Sequence, residues 1–195
     1  MNNMDVFQSN LAEYYLLNKN EILASFHVDD SIDMPMIDSV TGTFPAWISN
    51  LRAFIIDRRA PKKRENIAEL LKLSGCDTLR GYLDITHALS LTDTFWVKPV
   101  HSSLSWEDVS LYTHSFNEII AEEALEGGQQ SIGFSAPSPE FGTDGTFAKC
   151  WIRENGIIKM LKRGNGNNKV GLGPYSEYYA SQIINNLTEH FVRYG

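Results

Sequence analysis

The stretch GTDGTFAKCWIRENGIIKMLKRGNGNNKVGLGPYSEYYASQIINNL, residues 142–187, decides how the chain is read. Thr146 to Arg153 and Ile157 to Lys162 have the composition of strands, and Glu154-Asn155-Gly156 stands between them. Asn-Gly is a strong hairpin signal, because the two-residue turn that matches strand twist needs positive φ at both positions. A Gly/Asn-rich loop follows over 163–173. Pro174 then fits the first turn of a helix whose Tyr178, Ile183, Ile184 and Leu187 are expected to face inward. The order is glycine-bearing loop, strand, tight turn, strand, polar loop, helix.

Working outward, residues 13–28 read as two strands around Asn18-Lys19-Asn20, and 29–42, polar with Pro35, reads as loop. Three short helices follow. The first runs from Pro45 through Trp47, Ile48, Leu51, Phe54 and Ile55. The second opens at Pro61, carries Ile67, Leu70 and Leu71, and stops at Gly75; the third is capped by Asp77 and carries Leu79, Tyr82 and Leu83. Thr94 to Val97 reads as a buried strand end. Ser105 with Asp108 and Ser115 with Glu118 are capping-box signals, and the second of these helices ends at Gly127-Gly128. A Ser/Gly/Pro-rich stretch, Gln129 to Gly142, leads into the final unit. The expected class is α+β: an N-terminal hairpin plus helical region over 1–128, then a small antiparallel sheet with one packed helix over 129–195.

Composition narrows the function classes. An apolar fraction of 43% is that of a folded protein. Against 17 Lys and Arg stand 24 Asp and Glu, a net charge of −7, which disfavours direct nucleic-acid binding, where phosphate neutralisation dominates affinity. No long apolar run suits a membrane span and MNNMDVFQSN lacks signal-peptide character, so a cytoplasmic protein is expected. Cys76 and Cys150 lack metal-ligand spacing and read as reduced thiols. The basic run Arg58, Arg59, Lys62, Lys63, Arg64 reads as a solvated helix start, although it suits an acidic partner or phosphates too. The five histidines are scattered, and Trp47, Trp96, Trp106 and Trp151 read as core anchors, Trp106 alternatively as partner-facing.

The residues that could carry chemistry lie in the stretch quoted first. Backbone N–H groups approach phosphates closely only where glycine permits, as Gly142 and Gly145 would. A strand lysine, Lys162, can meet those phosphates, and a helix carboxylate, Glu177, can orient the lysine. The same pattern equally suits an Asn-Gly hairpin packed on an amphipathic helix with no ligand.

Four strings add a resemblance: RRAPKKRENIAELLKLSGCDTLRGYLDITHALSLTDTFWVKP (58–99), SWEDVSLY (105–112), SPEFGTDGTFAKCWI (138–152) and GPYSEYYASQI (173–183). Across Arg58–Leu187 the chain resembles the N-terminal part of HipA-like serine/threonine kinases, in the branch found in bacterial and mobile-element genomes. The resemblance implies a kinase N-lobe-like unit with ATP as ligand. Gly145 and Lys149 resemble the family's Gly-x-x-x-Lys phosphate loop, Lys162 its strand lysine, and Glu177 the acidic residue opening the following helix. Some relatives carry an autophosphorylated loop serine, where this chain has Gly142 or Thr143; Thr143 and Thr146 are weaker phosphoacceptor candidates. Family members continue into a helical lobe with a catalytic and a metal-binding aspartate that have no equivalent here, and Asp93 reads as a cap or turn residue. The expectation is no autonomous kinase, no catalytic residue and no metal site.

Two functions follow as expectations. One is a regulatory or protein-interaction module, possible as an inhibitor whose Asp29, Asp30, Glu122, Glu123 and Glu126 imitate phosphates before a host enzyme. The other is the nucleotide-binding half of a split or truncated kinase. The apolar face of the last helix (Tyr178, Ile184, Leu187) suggests a homodimer as well.

Overall fold

The computed structural model describes residues 11–128, 136–164 and 173–188. Its class is α+β, with a four-stranded antiparallel sheet, a separate two-stranded sheet and six α-helices among those residues. Strands β1 (Leu11–Asn18) and β2 (Glu21–Asp29) form the hairpin expected from Asn18-Lys19-Asn20, with Lys19 at φ 51° in the turn. The hairpin does not stand alone. Residues 29–42, expected as loop, contain β3 (Met34–Val40), which pairs with β2, while β4 (Phe95–Pro99) pairs with β1. The order β3-β2-β1-β4 puts Pro35 on an edge strand, the place in a sheet where a missing N–H is tolerated.

The helices are shorter than the apolar spacing implies, and their caps differ. Helix α1 (Leu51–Asp57) begins at Asn50, whose Oδ1 accepts from Ala53 N at 3.1 Å; Pro45 opens only a turn. Helix α2 (Ile67–Leu73) starts six residues after Pro61, because Asn66 at φ 64° interrupts the chain; Gly75 at φ 71° follows its end. Thr78, not Asp77, caps α3 (Leu79–Thr86) through Gly81 N at 3.1 Å, and Asp33 accepts from Leu79 N at 2.5 Å. Ser105 and Asp108 close on each other at the start of α4 (Trp106–Val109). Asn117, not Ser115, caps α5 (Glu118–Glu126) by accepting from Ile119 N and Ile120 N. A cap forms where the backbone is extended just before the first turn, and composition alone offers several polar residues for that place.

One face of the sheet (Tyr14, Leu16, Phe26, Val28) is buried against Ile55 of α1, Leu71 of α2 and Tyr82 and Leu83 of α3. The other side carries Leu17 and Trp96, packed with Val109 and Leu111. Phe141, fully buried, belongs to the first core and ties the later chain to it. It lies in a 3₁₀ turn (Pro139–Gly142) just before the hairpin β5 (Lys149–Glu154) and β6 (Ile157–Lys162). Helix α5 packs on β5, and α6 (Gly173–Asn185) follows.

Several expected core residues are on the surface. Tyr178, Ile183, Ile184 and Leu187 are exposed, Leu187 by 78%, and among the described side chains of α6 the buried one is Ser181. Trp47 is also exposed, resting edge-on against Phe54 and Phe95, whereas Trp96 is wholly buried. Among the described residues no helix is long and apolar enough to cross a membrane.

Candidate functional site

The Asn155-Gly156 turn, with φ 52° and 79°, fixes the hairpin register residue by residue. Glu154 faces Ile157, and five steps later Lys149 faces Lys162. Directly opposed residues share a face of the ladder, with Cβ atoms about 5 Å apart, and like charges there repel. In a chain of net charge −7, the hairpin register therefore sets two lysines directly opposite each other.

Each lysine has a distinct setting. Lys162 Nζ meets Glu177 of α6 at 2.8 Å, so the strand lysine and helix carboxylate singled out from the sequence are brought together. Both side chains are more than a third exposed, and such a pair adds only ~0–1 kcal/mol to folding. Its interest is positional. Lys149 is buried, and its Nζ donates to the Asp144 carbonyl at 2.7 Å. Burial lowers its pKa, and Arg64 and Lys162 nearby lower it further.

The loop 143–148 folds over this ammonium. Gly145 has φ 102°, and a Cβ there would stand 2.3 Å from Lys149 Nζ. Glycine thus suits the backbone angle, and a side chain there would push the Lys149 ammonium aside. Gly145 N–H is held by its neighbour's Asp144 Oδ1 at 2.6 Å, and Trp151 Nε1 donates to Thr143 Oγ1 at 2.8 Å. Thr143 in turn donates to the Pro139 carbonyl at 2.6 Å, so its hydroxyl is engaged on both sides, while Thr146 is exposed. Gly142 is placed differently: a Cβ would come within 3.1 Å of the Arg58 and Leu89 carbonyls. Its lack of a side chain serves close packing on the N-terminal unit, away from the Lys149 loop.

Sequence reasoning missed two groups beneath the loop. Arg64, 2% exposed, donates from Nη2 to the Glu140 carbonyl at 2.8 Å and from Nη1 to the Thr143 carbonyl at 2.7 Å. Glu140 is fully buried; its carboxylate accepts from Trp151 N at 2.8 Å and from Ser138 Oγ. Burial pushes the Glu140 carboxyl above its ordinary pKa and brings the Arg64 guanidinium down to about 10. The basic run hid Arg64. Two of its members are buried rather than solvated, since Arg58 too is turned inward, forked onto Asp93 at 3.0 Å and donating to the Ala88 and Phe95 carbonyls. Asp93 is therefore an ion-pair partner as well as a turn residue, accepting from Phe95 N at 2.9 Å.

The remaining candidates are dispersed. Asp30 pairs with Arg80 at 2.7 Å, Asp29 holds Ser31 N at 2.8 Å, and Glu126 lies 3.6 Å from Arg163. Cys76 and Cys150 are buried free thiols, pushed up by burial to about 12 and about 11. His87, with φ 52°, ends α3 and meets Trp96 edge-on. Among the described residues no group of three or more His, Cys, Asp or Glu could hold a metal ion, and His190 lies outside them. No family model, no curated protein and no solved structure matches the chain.

Proposed function

We propose that the chain is a nucleotide-gripping unit of HipA-like kind, whose Lys149, Lys162 and Gly145 loop hold the phosphates of ATP. The observation that carries the reading is the opposition of Lys149 and Lys162 across the hairpin, with Glu177 on Lys162. Two cations on one face repel, and an anion laid between them relieves that repulsion. Glu177 lies 2.8 Å from one ammonium, and the glycine loop closes over the other through the Asp144 carbonyl, which a phosphate would displace. The residues assembled are donors and cations, so the activity proposed is binding and orientation of the nucleotide. Transfer chemistry would need a base and metal ligands beyond this set.

The test is calorimetry with Mg-ATP on the wild-type chain, Lys162→Ala and Glu177→Gln. Saturable binding that Lys162→Ala abolishes and Glu177→Gln weakens supports the reading. No heat at millimolar ATP, or equal binding by all three proteins, rejects it.

A second reading, a regulatory module acting through a protein partner or a second copy of itself, is favoured by α6. Tyr175, Tyr179 and Ile183 on the helix and Leu187 just beyond it are all exposed, an apolar surface of the kind that interfaces use. The two readings are compatible, since a gripping unit can deliver its nucleotide to another protein.

A further inference from the structure

The phosphate loop is not held by its own hairpin alone. Ala60 N donates to the Phe141 carbonyl at 2.6 Å and Glu65 N to the Thr146 carbonyl at 3.0 Å, so segment 60–65 runs alongside residues 141–146. Between these two bonds sits Arg64, its fork spanning the carbonyls of Glu140 and Thr143. Those carbonyls bracket the start of the loop that covers Lys149. A planar guanidinium reaches two acceptors at a fixed spacing, which a single ammonium does not. The bond to the Glu140 carbonyl is buried and that to the Thr143 carbonyl partly so, and losing either leaves an acceptor with little water to replace the guanidinium, which favours one position for the loop start.

We infer that Arg64 is a positioning residue for the phosphate loop, so that the ligand site of the hairpin is set by the N-terminal unit, more than 70 residues earlier in the chain. The inference rests on the nucleotide-binding reading and adds a coupling to it. Whatever orders segment 60–65 orders the loop, and by reciprocity a ligand on the loop stabilises segment 60–65.

The experiment pairs Arg64→Lys with Arg59→Lys, a neighbour in the same basic run that donates to the Asp77 carbonyl at 3.1 Å and does not touch the loop. Circular dichroism first establishes that both variants fold. Mg-ATP affinity and amide hydrogen exchange at Gly145–Ala148 are then measured on both and on the wild type. The expected result is a Kd raised about tenfold or more by Arg64→Lys, with faster exchange in the loop, and no change for Arg59→Lys. Folded Arg64→Lys with wild-type affinity and wild-type loop exchange overturns the inference. Absence of ATP binding in the wild type instead rejects the nucleotide reading and the inference with it. Should Arg64→Lys fail to fold, the wild-type protein carries the test. Saturating Mg-ATP must slow exchange at Ala60 and Glu65 as well as in the loop, and protection confined to 143–163 overturns the coupling.

Discussion

Replacing Gly145 by alanine separates backbone strain from ligand binding, because Gly156 supplies a matched control. Both glycines have positive φ, 102° and 79°, so an alanine at either is strained. Strain of this kind costs on the order of 1–2 kcal/mol. For a chain of this size each kcal/mol lowers Tm by about 2–4 °C, so each variant should lose roughly 2–8 °C. The difference lies in what the new methyl group meets. At Gly156 nothing stands within 4 Å, whereas at Gly145 the methyl would lie 2.3 Å from Lys149 Nζ. The ammonium is the far end of a flexible side chain, so it swings away and the added steric cost is small. Its bond to the Asp144 carbonyl is lost and it enters solvent. The two variants should therefore melt within a few degrees of each other, while only Gly145→Ala loses ATP affinity, by about tenfold or more. A second readout follows. Desolvation is the first cause of the lowered Lys149 pKa, so that pKa should rise towards its ordinary value in Gly145→Ala, as NMR of the methylated ammonium would report. Unchanged affinity and an unchanged Lys149 titration in a folded Gly145→Ala protein would refute the placement of Lys149 beneath the loop.

Other expectations concern the frame and its surfaces. Asp93→Ala strands the buried Arg58 guanidinium and should cost about 3 kcal/mol in urea unfolding, and Asp93→Asn, which keeps an acceptor, should cost less. A loss below ~1 kcal/mol for Asp93→Ala would mean that Arg58 finds water or another partner. Burial holds the His87 pKa below 6.5, so the unfolded chain binds the proton first as pH falls. That stability is present above 6.5 and is lost as pH drops from 6.5 through the folded pKa. Asn tolerates φ 52°, so His87→Asn should fold and show a shallower acid-side decline in Tm between pH 6.5 and 5; an identical slope contradicts the assignment. Finally, if α6 forms a contact between two copies, sedimentation should show concentration-dependent association that Ile183→Lys abolishes. A single mass at all concentrations removes the homodimer.

What the sequence determined by itself was local. The Asn155-Gly156 turn sets φ at two adjacent residues, and the register that places Lys149 opposite Lys162 follows by counting back along two strands. Gly75 and Gly127 end their helices for the same local reason, each at positive φ. The order of a strand lysine before a helix carboxylate was also legible, and the fold brings Lys162 and Glu177 together. Tertiary structure decided the rest. Pro35 argued for a loop until β2 gave residues 34–40 a partner, because strand pairing is a contact between segments and composition reports only one of them. Arg58 and Arg64 looked solvated because nothing in their own segment accepts their hydrogen bonds; the acceptors lie at Ala88, Asp93, Glu140 and Thr143. The same holds in reverse for α6, whose apolar spacing suggested burial although the face is exposed. Burial of a charge or an apolar face depends on what the rest of the chain brings to it, and only the folded chain supplies that.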